Sequence, residues 1–259
     1  MSDLIPSAEH RSFDYIFSSH NFEHLPNPIK FLRACETLLK PGGRVIMMVP
    51  DCRICFDYFQ AHTTLGEWLQ AYLEDRKKPS LKQVYDFLSD HAHSIVDLPP
   101  LDAISDKTPR QAISVKTDIG ELWENWQNST EDSPYQEVHC TFMTPSSLEL
   151  LIEDCRHLNL IGLEVFDVSE ARGVEFKVHL VKPINPSPVV ATANYRERRS
   201  ELLHRIWDEH ASRGNVRGKG IGQLFKRRQA SSGQNALRLP LKEKLRSLNR
   251  RRLHRRRQK

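Results

Sequence analysis

The sequence predicts an α/β fold built around a parallel pair of strands, and three observations support this prediction. Residues 13–19 and 44–50 are two short apolar runs rich in residues that favour strands. A helical pattern fills the interval between them, and a strand–helix–strand unit of this length is typical of parallel pairing. Further along the chain, a second helical pattern precedes two strand-like segments around a turn, which predicts a terminal antiparallel hairpin.

The first strand, residues 13–19 (FDYIFSS), is apolar enough to be buried in a sheet. After a polar loop, Asn27 fits an N-cap and Pro28 the first helical position, where proline's fixed φ is favourable and its missing N–H costs nothing. Apolar residues then recur at helical spacing up to Leu39. The sequence Pro41-Gly42-Gly43 predicts the end of this helix and a turn.

The second strand, residues 44–50 (RVIMMVP), is a nearly continuous apolar run, the pattern expected when both faces of a sheet are covered. From residue 56 to about 93 the pattern is helical, with a break and a helix cap at Pro79-Ser80. Residues 94–137 carry many prolines and aspartates and show no clear pattern apart from an amphipathic segment at 119–126.

The end of the domain has stronger signals. Thr144-Pro145 repeats the cap-and-proline start of a helix whose apolar face is formed by Leu148, Leu151, Ile152 and Cys155. Residues 160–168 and 175–181 follow as two strands around Arg172-Gly173. The predicted organisation is a domain at 1–182, a proline-rich linker at 183–193 and a basic extension at 194–259.

Charge separates the extension from the domain. Residues 194–259 contain 21 Lys and Arg against 5 Asp and Glu, whereas residues 1–193 contain 17 against 28. We expect a charged helix at 194–210 and a disordered end. Residues 237–259, with 11 basic residues and one acidic residue, suit nucleic acid, an anionic membrane surface, or no specific partner.

No basic segment followed by an apolar stretch opens the chain, and no apolar run is long enough to span a bilayer. The five cysteines are too few and too scattered for a disulfide framework. Cys52-x-x-Cys55 lacks the second ligand pair that a zinc site needs, so no metal site is predicted. A cytoplasmic protein is the expectation from these features.

The region from 13 to 51 carries three linked features: Phe13-Asp14 opening a strand, Glu23-His24 in the next loop, and residues 39–43 (LKPGG) before the second strand. Together they resemble the segment from the fourth to the fifth strand of class I S-adenosylmethionine (SAM)-dependent methyltransferases. Residues 50–64, 139–145 and 175–180 are similar to a bacterial subgroup, methyltransferase-type-11-like and associated with glycosyltransferases. The resemblance covers about residues 3–182.

This family places a glycine-rich turn after its first strand, where backbone and a helix N-terminus face the cofactor. Only 12 residues precede Phe13, and none is glycine. The glycine-rich stretch 214–222 does not stand between a strand and a helix. The resemblance therefore implies an N-terminally truncated Rossmann-like methyltransferase fold that lacks its first three strands, with an antiparallel last strand and a basic C-terminal extension.

The same resemblance predicts the site. The loop after the fourth strand lies beside the transferred methyl group in this family, which assigns catalytic roles to His20, Glu23 and His24. Cofactor contacts are assigned to Ser18, Ser19 and His20, and to Asp3, which resembles a residue that contacts adenine. His20 is a candidate base for a substrate hydroxyl. Alternatively, Glu23 and both histidines only order the loop.

The resulting function is methyl transfer from SAM to an oxygen or nitrogen of a small or glycan-like acceptor. Two alternatives remain: a non-catalytic methyltransferase remnant that acts as a binding module, and a nucleic-acid-associated protein that binds through its tail. One further consequence concerns the strand at 13–19. Without the first strand beside it, this strand has an unpaired apolar edge, which predicts self-association.

Overall fold

The computed structural model of the protein describes residues 5–95, 104, 108–130, 133–185 and 192–212. Its helices are α1 (Pro28–Leu38), α2 (Leu65–Leu73), α3 (Leu81–Ser89), α4 (Ile119–Gln127), α5 (Pro145–His157) and α6 (Thr192–Ser212). Its strands are β1 (Phe13–Ser19), β2 (Leu39–Pro50), β3 (Ala92–Ser94), β4 (Ile113–Val115), β5 (Glu164–Val168) and β6 (Glu175–Val181). Asp3, the glycine-rich stretch 214–222 and the basic segment 237–259 lie outside the described residues.

The main sheet has the strand order β1-β2-β6-β5. β1 and β2 are parallel, and β6 is antiparallel to both β2 and β5. Ile16 lies opposite Val45, which lies opposite Leu180, so these side chains share one face of the sheet. This mixed sheet confirms the predicted parallel pair and the antiparallel last strand. β3 and β4 form a separate two-stranded sheet.

Helix α1 begins as predicted but ends earlier. The side chain of Asn27 accepts a hydrogen bond from the Lys30 N–H at 3.0 Å, and Pro28 is the first helical residue. The helix ends at Leu38, and the Pro-Gly-Gly sequence is part of β2 instead of a separate turn. Gly43 explains this: a Cβ there would lie 2.9 Å from the carbonyl oxygen of Phe13, so glycine lets β2 approach β1 closely.

The core fills the space between one face of the sheet and helices α1 and α5. The predicted apolar face of α5 is confirmed, because Leu148, Leu151, Ile152 and Cys155 are all buried. These side chains pack in one cluster with Ile29, Leu32 and Cys35 of α1 and with Val45, Met47 and Val49 of β2. Burial of these apolar side chains stabilises the sheet and fixes the position of its carboxyl edge.

The opposite face of the sheet is exposed in the described part of the chain. Tyr15 is 55% exposed, Phe17 is 72% exposed and Phe166 is 56% exposed. The guanidinium of Arg44 stacks over the ring of Phe166 at 4.0 Å. The prediction that β1 is buried and β2 is covered on both faces is therefore wrong for the described residues, since their helices pack against one face only. We call this surface, formed by Tyr15, Phe17, Ile46, Met48 and Phe166, the open face.

Between β2 and α5 the chain forms shorter helices. The predicted helical stretch starting at residue 56 is only partly helical, because 56–59 forms a turn, 60–64 has no regular structure and α2 begins at Leu65. Ser80 caps α3 as predicted, in a reciprocal arrangement with Gln83. The amphipathic segment is helix α4, capped by Asp118. None of the described helices is long and apolar enough to cross a membrane.

Helix α6 packs against α5, although the sequence places it in the basic extension. Tyr195, Leu202 and Ile206 are buried on this contact, and the Tyr195 hydroxyl donates to Asp154 at 2.5 Å. Arg198 adds an ion pair with Glu149. The helix is strongly charged overall, and the apolar stripe that packs on α5 consists of these three residues. The boundary predicted at residue 194 stays a prediction, but this helix contacts the domain.

Candidate functional site

Three loops meet at the carboxyl ends of β1 and β2. They are the loop after β1, the segment after β2 that contains Asp57, and the residues that lead into α5. The backbone N–H groups of Cys140 and Thr141 donate to the carbonyl oxygen of Glu23 at 2.6 and 3.1 Å. The N–H of Cys52 donates to the carbonyl oxygen of Met143 at 2.9 Å. These bonds join the three loops into one site at the edge where ligands bind in open α/β sheets.

His20 is the first residue after β1 and has an unusual backbone conformation. Its φ is +46°, in the left-handed region that few non-glycine residues adopt. The backbone N–H bonds to the carbonyl oxygen of Met48 at 3.0 Å, and the ring Nε2 lies 2.7 Å from Oε2 of Glu175 at the start of β6. The side chain is 46% exposed. A carboxylate therefore orients an imidazole that solvent and a ligand can reach.

The next residues form the single turn of 3-10 helix at Phe22–His24. Phe22 is fully buried and packs edge-to-face against Phe31 and Trp68, which fixes the turn. The Glu23 side chain is only 1% exposed. One of its oxygens, Oε1, lies 3.6 Å from Nδ1 of His20 and 3.9 Å from Nε2 of His24. The other oxygen, Oε2, makes no hydrogen bond to any described residue.

A buried aspartate–histidine pair lies beside this turn. Nδ1 of His139 is 2.7 Å from Oδ2 of Asp57, and both residues are almost fully buried. The ring of His139 packs edge-to-face on the ring of His24, with 4.6 Å between the centroids. The ring of Phe56 also packs against the ring of His139, with 4.8 Å between the centroids. The arrangement holds His139 in one orientation and brings it next to Glu23.

The structure brings together the predicted His20, Glu23 and His24. Ser18 is half-buried and Ser19 is exposed at the end of β1, and a cofactor role for either serine stays a prediction. The geometry adds three residues that had no predicted role: Asp57, His139 and Glu175. Each lies in a segment that resembles the methyltransferase subgroup, and this resemblance is the sequence signal that could have indicated a role in the site for them. No spacing rule links them to the loop after β1.

Four of the five cysteines are unreactive at neutral pH. All five are buried free thiols. Burial raises the pKa of Cys140 to about 12, and it does the same for Cys35 and Cys155. Burial also raises the pKa of Cys55 well above its usual value. These four thiols stay protonated at neutral pH, so none is an activated nucleophile.

Comparison with known proteins agrees with this architecture. The family model described as a methyltransferase domain matches residues 4–155, more than half of the chain. A ubiquinone biosynthesis O-methyltransferase of Ralstonia nicotianae is 41% identical over 44 residues, which cover 17% of this chain and 18% of that protein. The chain thus matches less than a fifth of the length of that relative. No solved structure is significantly similar to this chain. By its match to the family model, the chain belongs to the methyltransferase-domain family.

Proposed function

We propose that this chain is the acceptor-side half of a SAM-dependent methyltransferase. The observation that carries this proposal is the open face together with the outer edge of β1. In the described residues no strand pairs with that edge, and Phe17 next to it is 72% exposed. In the resembled family this is the side where the cofactor-binding strands and their helices pack. We infer that such strands complete the sheet in the active protein.

Methyltransferase domains generally use SAM, and the described residues fit only one side of a SAM site. Gly42, Gly43, Gly66, Gly120, Gly162 and Gly173 are the glycines in the described part of the chain. None of them forms a turn from the carboxyl end of a strand into a helix, where the cofactor's carboxylate would meet backbone N–H groups. The loop after β1 is therefore the cofactor-facing and acceptor-facing part that this chain supplies.

Within the proposed reaction, His20 is the base. When bound, SAM supplies a positively charged sulfonium with a transferable methyl group. The acceptor must present an oxygen or nitrogen lone pair, and removal of its proton makes it a better nucleophile. His20 is accessible, and with an N–H on Nε2 donating to Glu175, the lone pair on Nδ1 is the one that takes up the acceptor's proton. Glu23 and His24 order the loop in this scheme.

Three finer assignments belong to the proposal. The similarity to a bacterial subgroup associated with glycosyltransferases favours a glycan-like or other small acceptor. The Ralstonia relative is named as an O-methyltransferase, which favours an oxygen over a nitrogen as the methylated atom. A partner for the basic segment 237–259, either nucleic acid or a membrane surface, stays a proposal that its charge supports.

We expect the purified chain to bind SAM poorly. The physical reason is that the described residues form no glycine-rich turn from a strand into a helix, where the cofactor would meet backbone N–H groups. Titration calorimetry with SAM measures this directly. A dissociation constant in the low micromolar range would show that the chain has a complete cofactor site and would contradict the proposal.

A longer protein, extended at its N-terminus by about 60 to 90 residues to supply the cofactor-side strands, should bind SAM. In that protein His20→Ala should lower kcat by about 100-fold or more, because a general base contributes this much. The dissociation constant for SAM should change little. His204→Ala, at an exposed histidine of α6, is the matched control and should keep full activity.

Equal activity of the His20→Ala and control enzymes would assign His20 a purely structural role. Failure of the longer protein to bind SAM would favour the alternative of a non-catalytic remnant.

A further inference from the structure

We propose that Glu23, His24 and His139 form a binding site for a divalent transition-metal ion such as Zn²⁺. One carboxylate oxygen and one nitrogen from each imidazole lie within 4.8 Å of one another. A metal ion bound to all three ligands needs these atoms roughly 3 to 3.5 Å apart, given metal–ligand distances near 2 Å. Small side-chain rotations around the ion therefore suffice. This inference goes beyond the proposed methyl transfer and does not depend on it.

The carboxylate of Glu23 supplies the first independent argument for a cation. Its side chain is 99% buried by the fold, and Oε2 makes no hydrogen bond to any described residue. A charged carboxylate removed from water without a partner is strongly unfavourable, and buried charges in proteins are paired or coordinate metals. Three imidazoles, from His20, His24 and His139, surround this one carboxylate. A metal ion among them would satisfy the unpartnered oxygen.

His139 supplies the second argument. Its Nδ1 lies 2.7 Å from Oδ2 of Asp57. A carboxylate accepts from an N–H on that nitrogen, so a neutral His139 keeps the lone pair of Nε2 for a metal ion. Histidines that bind metals almost always donate their other ring N–H to a carboxylate or carbonyl oxygen, which fixes the ring and raises its basicity. Asp57 is thus a positioning residue for a metal ligand. The rings of His24 and Phe56 pack on His139 and prevent it from turning away.

The ligand set selects the kind of metal. Two imidazoles and one carboxylate suit Zn²⁺, Co²⁺ or Fe²⁺, whereas Mg²⁺ and Ca²⁺ prefer all-oxygen ligands. Three protein ligands leave at least one coordination position for water or another oxygen. The side chain of His24 is 25% exposed, so an ion has a route to the site from solvent. If the proposed function holds, that open position is where an acceptor oxygen would bind.

The test uses the full chain, stripped of metal with a chelator and then titrated with Co²⁺ and Zn²⁺. We expect the visible absorption of Co²⁺ in a nitrogen and oxygen site, saturating at one equivalent and displaced by Zn²⁺ but not by excess Mg²⁺. Glu23→Gln and His139→Gln should abolish the signal. Asp57→Asn, which keeps all three ligands, should weaken metal affinity by about 10- to 100-fold.

His62→Ala is the matched control, because His62 and His210 form another histidine pair with ring nitrogens 3.2 Å apart. This variant should bind Co²⁺ as the unmodified chain does. Loss of the signal in His62→Ala, displacement by Mg²⁺, or unchanged affinity in Glu23→Gln would each overturn the proposal. The absence of any Co²⁺ signal would mean that a protonated histidine, not a metal, balances Glu23.

Circular dichroism of each metal-free variant separates lost binding from lost folding. Should both buried variants unfold, His24→Ala carries the test, since His24 is the most exposed of the three ligands. It should weaken Zn²⁺ binding at least as much as Asp57→Asn does. Unchanged Zn²⁺ affinity in a folded His24→Ala chain would overturn the site.

Discussion

Replacing Arg53 with methionine is expected to lower the free energy of unfolding by about 3–5 kcal/mol. The side chain of Asp51 is fully buried, and Arg53 holds both of its oxygens, with Nε at 2.9 Å from Oδ1 and Nη2 at 2.5 Å from Oδ2. Methionine fills similar space but leaves the carboxylate buried with no cation beside it. Urea unfolding followed by circular dichroism measures the loss.

The same substitution should also loosen α6. The guanidinium Nη1 of Arg53 donates to the carbonyl oxygen of Glu209 in the last turn of that helix, at 3.3 Å. Helix ends leave such carbonyls without intrahelical partners, and a basic side chain there is stabilising. Faster hydrogen exchange at the end of α6 would report this local effect separately from global unfolding.

Two comparisons make the Arg53 result specific. Lys77→Met removes an exposed partner of Asp75 and should leave the unfolding free energy nearly unchanged, because exposed ion pairs contribute little. Adding Asp51→Asn to Arg53→Met should restore part of the loss, since the uncompensated charge is then gone. A loss for Arg53→Met no larger than that for Lys77→Met would show that Asp51 is solvated or protonated in the folded protein.

We expect the isolated chain to self-associate instead of remaining a monomer. The outer edge of β1 has no strand partner among the described residues, and Tyr15 and Phe17 are both more than half exposed beside it. An unprotected, apolar edge strand pairs readily with another chain. Light scattering on freshly prepared protein measures the effect. A stable monomer near its mass of 30.1 kDa with cooperative unfolding would contradict it.

Phe17→Lys should shift the protein towards the monomer. The side chain is 72% exposed, so lysine is tolerated there, and its charge opposes pairing at the edge. Ile16→Lys is a poor alternative, because Ile16 packs against the core. The control is Leu73→Lys at the end of α2, which removes an apolar side chain that is 82% exposed and outside the sheet. An equal reduction by both variants would indicate general hydrophobic association instead of pairing through β1.

Local sequence signals determined the beginnings of helices and the parallel strand pair. Asn27, Ser80 and Thr144 cap helices because their side chains bond to N–H groups within the next turn. The alternation of helix and strand patterns between residues 13 and 50 leaves only a parallel pairing, which the structure confirms. Such signals depend on neighbouring residues alone, so they are present in the sequence itself.

Tertiary contacts decided where α1 ends, where α6 packs and which side chains meet in the site. Helix α1 ends at Leu38 because β2 begins there and pairs with β1, a contact that local turn residues do not encode. Helix α6 joins α5 through a narrow stripe hidden in a charged sequence. Asp57 and His139 are 82 positions apart and meet only when the loops after β2 and before α5 fold together.

The sequence by itself determined the family and the loop that carries His20, Glu23 and His24. The carboxylates that orient His20 and His139, which are Glu175 and Asp57, were decided by tertiary structure, because long-range pairing leaves no mark at either position.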